Sequence, residues 1–419
     1  MEYKDRVSAL ISLEAIVRNA RYMASMPGGG KMVAVIKADA YGHGAKAVAC
    51  ALKDEPYLFG YAVATAEEAM ELSGLCLGHP ILILGPVFEE HWAELIEAGV
   101  RFTVTDEAEC RRLSELACSL GTGSTGGACT SYNEGNLGGL TQGRPSFFGS
   151  PAPAQENGPA AGSISAKKAF VHLAVDTGMG RIGLAPDEAS AEAASRIAAL
   201  PGIALEGVFT HMARADEADK APALVQVERF NHFLKMLDER GVEVPYRHIR
   251  NSAGILRLPE AGGNLARAGV ALYGLYPSDD VKKEGYVLHP AMSLVSRLSF
   301  VKEAPAGTTV SYGGTFTAGR PMRIGTVPVG YADGYPRGLS GKGEVIVKGV
   351  RVPILGRICM DQFMVCLDAV PDAKAGDTVT LLGRDGEEAI TAEELGDISG
   401  RFNYELACCI SKRVPRRYV

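Results

Sequence analysis

The chain has 419 residues, 47% of them hydrophobic, and 49 acidic against 43 basic side chains give a net charge of −6. That is enough apolar material for a large core and two domains, and it excludes wholesale disorder. A net negative charge without a basic run argues against nucleic acid as a partner, and no run of about 18 apolar residues exists to span a membrane.

The first six residues are charged and lack the apolar run of a signal peptide. The 9 cysteines form no C-x-x-C pair, and Cys408 and Cys409 are adjacent. This usage fits a reducing cytoplasm, and no Cys/His spacing supports a metal site. Strand-like runs occupy 31–36, 59–64, 81–84, 101–104, 169–175, 205–209, 246–249 and 265–270. Helical patterns lie between them. Thr65-Ala-Glu-Glu68 is a capping box, Asp106-Glu-Ala-Glu109 is similar, and 224–239 carries apolar residues at helical spacing. Eight strands alternating with helices predict a (β/α)8 TIM barrel over 1–285. An open doubly wound sheet is the alternative, but no G-x-G-x-x-G follows the first strand.

Segment 121–162 breaks the alternation. It is rich in Gly, Ser, Thr, Asn and Pro and lacks periodicity, so it is read as a flexible insertion. After about residue 286 short β-rich runs follow one another: 292–301, 308–312, 322–330, 344–347, 352–355, 363–367 and 378–382. A C-terminal all-β domain over 286–419 is expected, with one long helix at 391–398. Residues 6–11 can add a strand to it.

Polar residues fall repeatedly just after barrel strands, where barrel active sites lie. Lys37 ends the first strand, and Tyr41 follows among Gly42, His43 and Gly44. A lysine held by an apolar strand and partly desolvated has a lowered pKa, as a Schiff-base amine requires. Asp176-Thr-Gly-Met-Gly-Arg181 follows strand five, His211 strand six, and Asn251 and Ser252 strand seven. Arg267, Gly269 and Val270 end strand eight. Ser252, Gly269 and the N–H of Val270 sit where barrels often hold phosphate. Each alone has an ordinary structural reading; six such positions on one barrel face do not. In the β domain three stretches stand out: Val310-Ser-Tyr312-Gly-Gly, Gly330-Tyr331-Ala-Asp-Gly-Tyr-Pro and Gly356-Arg-Ile-Cys359-Met360-Asp361.

Apart from the insertion, these stretches resemble alanine racemases from end to end and in the family's order. The resemblance implies pyridoxal 5′-phosphate on Lys37, with the phosphate held by Tyr41, Ser252, the backbone of Gly269 and Val270, and Tyr404 of Asn403-Tyr-Glu405. It implies Arg267 at the pyridine nitrogen, His211 bonded to Arg267, and Arg181 near the substrate carboxylate. Tyr312 and Met360 would come from the second subunit of a homodimer with shared active sites, and Tyr331 would narrow the entrance. Asn251, Cys359 and Asp361 would be supporting residues. Lys37 and Tyr312 would interconvert L-alanine and D-alanine as two bases, for peptidoglycan synthesis or alanine breakdown.

One position departs from the pattern. Many relatives carry a carbamylated lysine two residues before the aspartate of Asp-Thr-Gly, and here that residue is Ala174. Another anion, chloride first, is expected near Arg181. Two other readings stay open, and a third is disfavoured. The first is a serine or broad-specificity racemase. The second is a non-catalytic pyridoxal phosphate barrel, against which the β-domain motifs argue. The third is a decarboxylase of the same fold, whose signatures are not evident; Gly28-Gly-Gly30 precedes the first barrel strand and lies on the wrong side.

Overall fold

The structure is a computed structural model that describes residues 5–26, 30–121 and 167–419. Of the segment 121–162 expected to be a flexible insertion, all but Gly121 lies outside the described residues.

The first strand, β1 (Val7–Ile11), leads into a helix, Leu13–Ala24, and then into eight parallel strands. These are β2 (Lys31–Val35), β3 (Leu58–Val63), β4 (Ile81–Ile83), β5 (Phe102–Val104), β6 (Ala169–Ala174), β7 (Ile203–Phe209), β8 (Tyr246–His248) and β9 (Leu265–Ala268). They pair as two parallel halves, β4-β3-β2-β9 and β5-β6-β7-β8. A parallel bridge between Leu82 and Arg101 joins the halves on one side. On the other, Arg267 N donates to Arg250 O (2.9 Å) and Asn264 N to Arg247 O (3.0 Å). The ring closes as the expected barrel. Its strands are apolar runs because parallel strands are covered on both faces.

The intervening helices start where the sequence signals them. Thr65 and Asp106 accept from Glu68 N and Glu109 N as N-caps. The helix Ala221–Glu239 buries Ala223, Val227, Phe230, Leu234 and Leu237, a stripe at helical spacing that faces the barrel.

The remaining strands are β10 (Met292–Arg297), β11 (Phe300–Ala304), β12 (Thr309–Val310), β13 (Phe316–Thr317), β14 (Met322–Val327), β15 (Glu344–Val347), β16 (Val350–Leu355), β17 (Phe363–Cys366), β18 (Thr378–Asp385), β19 (Glu388–Ile390) and β20 (Arg416–Tyr418). The larger sheet runs β11-β14-β17-β16-β15-β18-β10-β1-β20. Strand β1 joins it between β10, antiparallel, and β20, parallel. The single strand expected over 292–301 is two. At Leu298 and Ser299 the chain changes partners, so that β10 pairs with β18 and β11 with β14. Besides the expected helix, found at Ala392–Ser399, a second at Asn403–Cys409 packs against the barrel. No helix among the described residues is long and apolar enough to cross a membrane.

Candidate active site

Strand β2 ends in an unusual turn. Ala38, Asp39, Ala40 and Tyr41 all have φ between 52° and 56°, one turn of left-handed helix that brings Lys37 and Tyr41 to one side. Such backbone costs about 1–2 kcal/mol per non-glycine residue and persists only where its surroundings hold it. Here the holders are specific. Glu68, the glutamate of the capping box, accepts from Ala38 N at 2.6 Å. Asp39 accepts from Ala45 N at 2.8 Å. His43, buried and stacked on Tyr273, donates through Nδ1 to the carbonyls of Ala40 and Tyr41. His43 therefore supports the loop rather than the chemistry. Gly42 has φ +81°, and a Cβ there would lie 2.2 Å from Ala407 O, so only glycine admits the helix Asn403–Cys409.

A cavity of about 230 Å³ opens beyond the carboxyl ends of the barrel strands. One side is a cup formed by Tyr41, Ser252, Gly269, Val270 and Tyr404. Ser252 Oγ accepts from Gly269 N (2.9 Å) and Ala271 N (3.3 Å), which leaves its own proton to point elsewhere. A Cβ on Gly269 would sit 3.1 Å from the Tyr41 hydroxyl, so the absent side chain is what keeps the cup open. Burial pushes the Tyr41 phenol up to about 12, so it stays a donor. Asn251 caps the helix Ser252–Arg257 through Gly254 N and donates to Met212 O, which fixes the cup's floor.

The other side is cationic. Burial first, then the charge of Arg181, hold the Lys37 amine below its ordinary value. Burial and then Arg267, Arg181 and Lys37 bring His211 down to about 3, so its ring is neutral. Arg267 is buried on β9 and lowered to about 9, first by burial and then by Arg181. Arg181 stands exposed at the rim, at the end of a loop that Asp176 folds by accepting from the N–H groups of Gly178, Met179 and Gly180. A pocket with a donor cup at one end and converging cations at the other suits a phosphate plus a carboxylate.

The expected bond between His211 and Arg267 is absent among the described residues. Arg267 instead donates through Nη1 to His248 Nδ1 (2.8 Å) and His248 O (2.9 Å), and through Nη2 to Thr210 O (2.7 Å). His248 lies on β8, the strand adjacent to β9, and its buried ring meets the guanidinium edge first. His248, with His172 and Glu206 behind it, escaped the sequence reading. The available signal was a histidine in each of two barrel strands, His172 within an otherwise apolar run and His248 at the end of Tyr-Arg-His. Glu68 was also missed, because a capping box reads as helix initiation alone, and so was Asp39, whose bond from Ala45 N depends on the left-handed turn.

Tyr312, Met360 and Tyr331 do not line the cavity of their own chain. They are 73%, 51% and 42% exposed. Their loops form one face of the β domain. Tyr331 N and Ala332 N donate to Cys359 O and Met360 O, and Ser311 Oγ donates to Arg357 O and lies 3.4 Å from Cys359 Sγ. Asp361 secures this face by accepting from Arg413 at 2.8 Å.

A closed barrel with a desolvated lysine beside a phosphate cup, joined to a β domain, is the architecture of a barrel-type pyridoxal phosphate enzyme. Comparison with known proteins gives the family. The model described as "Alanine racemase, N-terminal domain" matches residues 11–125 and 154–277, and that described as "Alanine racemase, C-terminal domain" matches 291–418. The alanine racemase of Carboxydothermus hydrogenoformans is 41% identical over 413 residues, 99% of each chain. The structure of alanine racemase from Clostridium difficile 630 superposes with a TM-score of 0.84 at 35% identity, covering 99% of this chain and 96% of that one; a second, in complex with cycloserine, gives 0.83 at 34%, covering 100% of this chain and 96% of that one. The chain belongs to the alanine racemase family.

Proposed function

We propose that this chain interconverts L-alanine and D-alanine with pyridoxal 5′-phosphate held on Lys37, in a homodimer whose subunits complete each other's sites. The observation that carries the reading is the pocket itself, with Lys37 and Arg267 facing a cup made by Tyr41, Ser252, Gly269 and Tyr404. These residues fit the cofactor. The open cup would hold the phosphate, the Lys37 amine would carry the cofactor, and Arg267 would meet its pyridine nitrogen. Bound there, the cofactor supplies the electron sink that makes the α-proton of alanine removable.

The protein supplies two proton carriers. Lys37, depressed by burial, has more neutral amine near neutrality than a free lysine and serves one face of the substrate. Tyr312 from a second copy serves the other. Its exposure, and its absence from its own chain's cavity, support that sharing. Two fixed groups spare the site a swing of one base across the substrate plane. Arg181 orients the substrate carboxylate. Chloride near it takes the place of the anion that Ala174 cannot provide. The Tyr404 hydroxyl donates to Pro277 O at 3.0 Å, so Tyr404 lines the cup with its ring and is not the free phosphate donor expected from the sequence; a ring rather than a free polar group beside the substrate side chain favours alanine over serine.

Borohydride reduction of the holoenzyme followed by peptide mapping tests the first part; label on any lysine but Lys37 refutes it. A co-expressed dimer with Lys37→Ala on one chain and Tyr312→Phe on the other tests the second. It should recover one intact site, and a mixed dimer as inactive as both parents refutes the sharing.

A further inference from the structure

Arg267 is buried, and among the described residues no acidic side chain bonds to it directly. A guanidinium out of water without a counter-charge is costly. The compensation lies two residues further in. His248 Nε2 is 2.8 Å from His172 Nδ1, and His172 Nε2 is 3.3 Å from Glu206 Oε2. Glu206 also accepts from Arg101 at 3.1 Å and 3.3 Å, at the opposite end of the barrel interior. Both imidazoles are fully buried, and Glu206 is only 16% exposed.

The two ends fix the direction of the chain. A guanidinium can only donate, and an ionised carboxylate can only accept. Burial opposes the Glu206 charge, but the bonds from His172 and Arg101 more than offset it and bring the carboxyl down to about 2. His248 must therefore accept at Nδ1 and donate from Nε2. His172 must accept at Nδ1 and donate from Nε2 to Glu206. Both rings are neutral, each in one tautomer. Burial pushes both below the ordinary histidine value. The surroundings fit this fixed arrangement. Phe209 stacks on His248 (4.9 Å) and lies under Arg267 (5.2 Å), and Tyr246 is parallel to His172. A Cβ on Gly207 would lie 2.3 Å from His172 Nδ1, so β7 carries glycine where the ring passes.

We propose that Glu206, acting through His172 and His248, is the remote counter-charge of Arg267, and that these three are positioning residues for the guanidinium that meets the cofactor ring. The proposal rests on the reading that Arg267 faces the pyridine nitrogen. The relay moves no proton in turnover. It holds Arg267 charged and in one orientation, and it transmits the influence of a carboxylate at the far end of the barrel to the ring nitrogen.

Nitrogen NMR of histidine-labelled protein, without and with cofactor, tests the relay apart from activity. His172 and His248 should each show the neutral Nε2–H tautomer at pH 7 in both forms. A charged ring, or an Nδ1–H tautomer in either, overturns the proposal. Glu206→Gln keeps an acceptor but removes the charge. It should lower kcat roughly 10–100-fold, by analogy with outer partners of metal ligands, with little change in KM and a shifted cofactor absorbance. Glu206→Asp should restore most of the loss. Wild-type kcat and spectrum in Glu206→Gln would overturn the proposal. If the tautomers are as stated but borohydride fixes no cofactor to Lys37, it is the reading of the pocket that fails and not the relay.

Discussion

Lowering the pH from 7 to 5 should destabilise this fold sharply, because its buried histidines must fold neutral. His43 is lowered by burial to about 4 and His211 to about 3, against an ordinary value of 6.5. A group whose folded pKa is depressed in this way binds protons in the unfolded chain first. The stability tied to its neutrality is therefore whole above 6.5 and is lost as the pH falls toward the folded value. Between pH 7 and 5 an ordinary histidine gains proton-binding free energy of about 1.9 kcal/mol, and one lowered to 4 gains almost none. His43 and His211 together then cost the fold about 3.7 kcal/mol on this change, a large part of the roughly 5–15 kcal/mol that holds a typical domain. His172 and His248 act in the same direction. The assay is urea unfolding of the cofactor-free protein, followed by tryptophan fluorescence and far-UV circular dichroism at half-unit pH steps. The midpoint should fall steadily from about pH 6.5 downward, well before ordinary carboxylates protonate. His43→Asn, although less stable at pH 7, should lose about 2 kcal/mol less than wild type on acidification. A midpoint flat from pH 7 to 5.5, or an unchanged acid slope in that variant, would refute the reasoning.

Gly269→Ala should leave the fold intact and weaken pyridoxal phosphate binding at least ~10-fold by spectral titration, because the new methyl meets the Tyr41 hydroxyl at 3.1 Å; unchanged affinity would mean the cup is not the phosphate site. Arg250 is 1% exposed, has no hydrogen bond to its Nε, and borders a cavity of about 10 Å³ otherwise lined by Met23, Met26, Met32 and other small or apolar residues. Arg250→Met should thus be neutral or stabilising by about 1–4 kcal/mol, read as an unchanged or raised Tm, and a Tm lowered by several degrees would show a partner for this guanidinium. Chloride titrated against activity at fixed ionic strength should raise the rate in this chain and lose its effect in Ala174→Glu, which places a carboxylate where Arg181 lacks one; a flat response removes chloride from the site.

The fold was legible because barrel strands declare themselves. Eight apolar runs at regular spacing, each followed by a polar residue of chemical interest, leave few architectures open, and observed and expected strands differ mostly by a residue or two at their ends. The pocket was legible for the same reason, since Lys37, Ser252 and Gly269 lie at strand ends whatever the exact register. What was not legible depends on geometry across the barrel. The left-handed turn at Ala38–Tyr41 is invisible to propensity, because nothing in Ala-Asp-Ala-Tyr favours positive φ. It exists because Glu68 holds it from the next helix, while Asp39 within the turn and His43 just after it close it locally. The partner of Arg267 was misassigned because His211 and His248 are both plausible by position, and only the closure of the barrel, which lays β8 beside β9, decides between them.

That correction changes how the site must be understood. Had His211 carried the bond to Arg267, the cationic side of the pocket would be a local matter among residues at the barrel mouth. With His248 in that place, the arginine is tied through the barrel core to Glu206, and His211 is left as a neutral ring between Lys37, Arg181 and Arg267. A neutral imidazole amid three cations can accept a hydrogen bond where a charged one could only repel. The relay and the neutral ring therefore serve one end. The far carboxylate keeps Arg267 charged without placing a negative group in the pocket, and under the proposed two-base reading the positive field so preserved would favour the phenolate form of Tyr312 from a second copy.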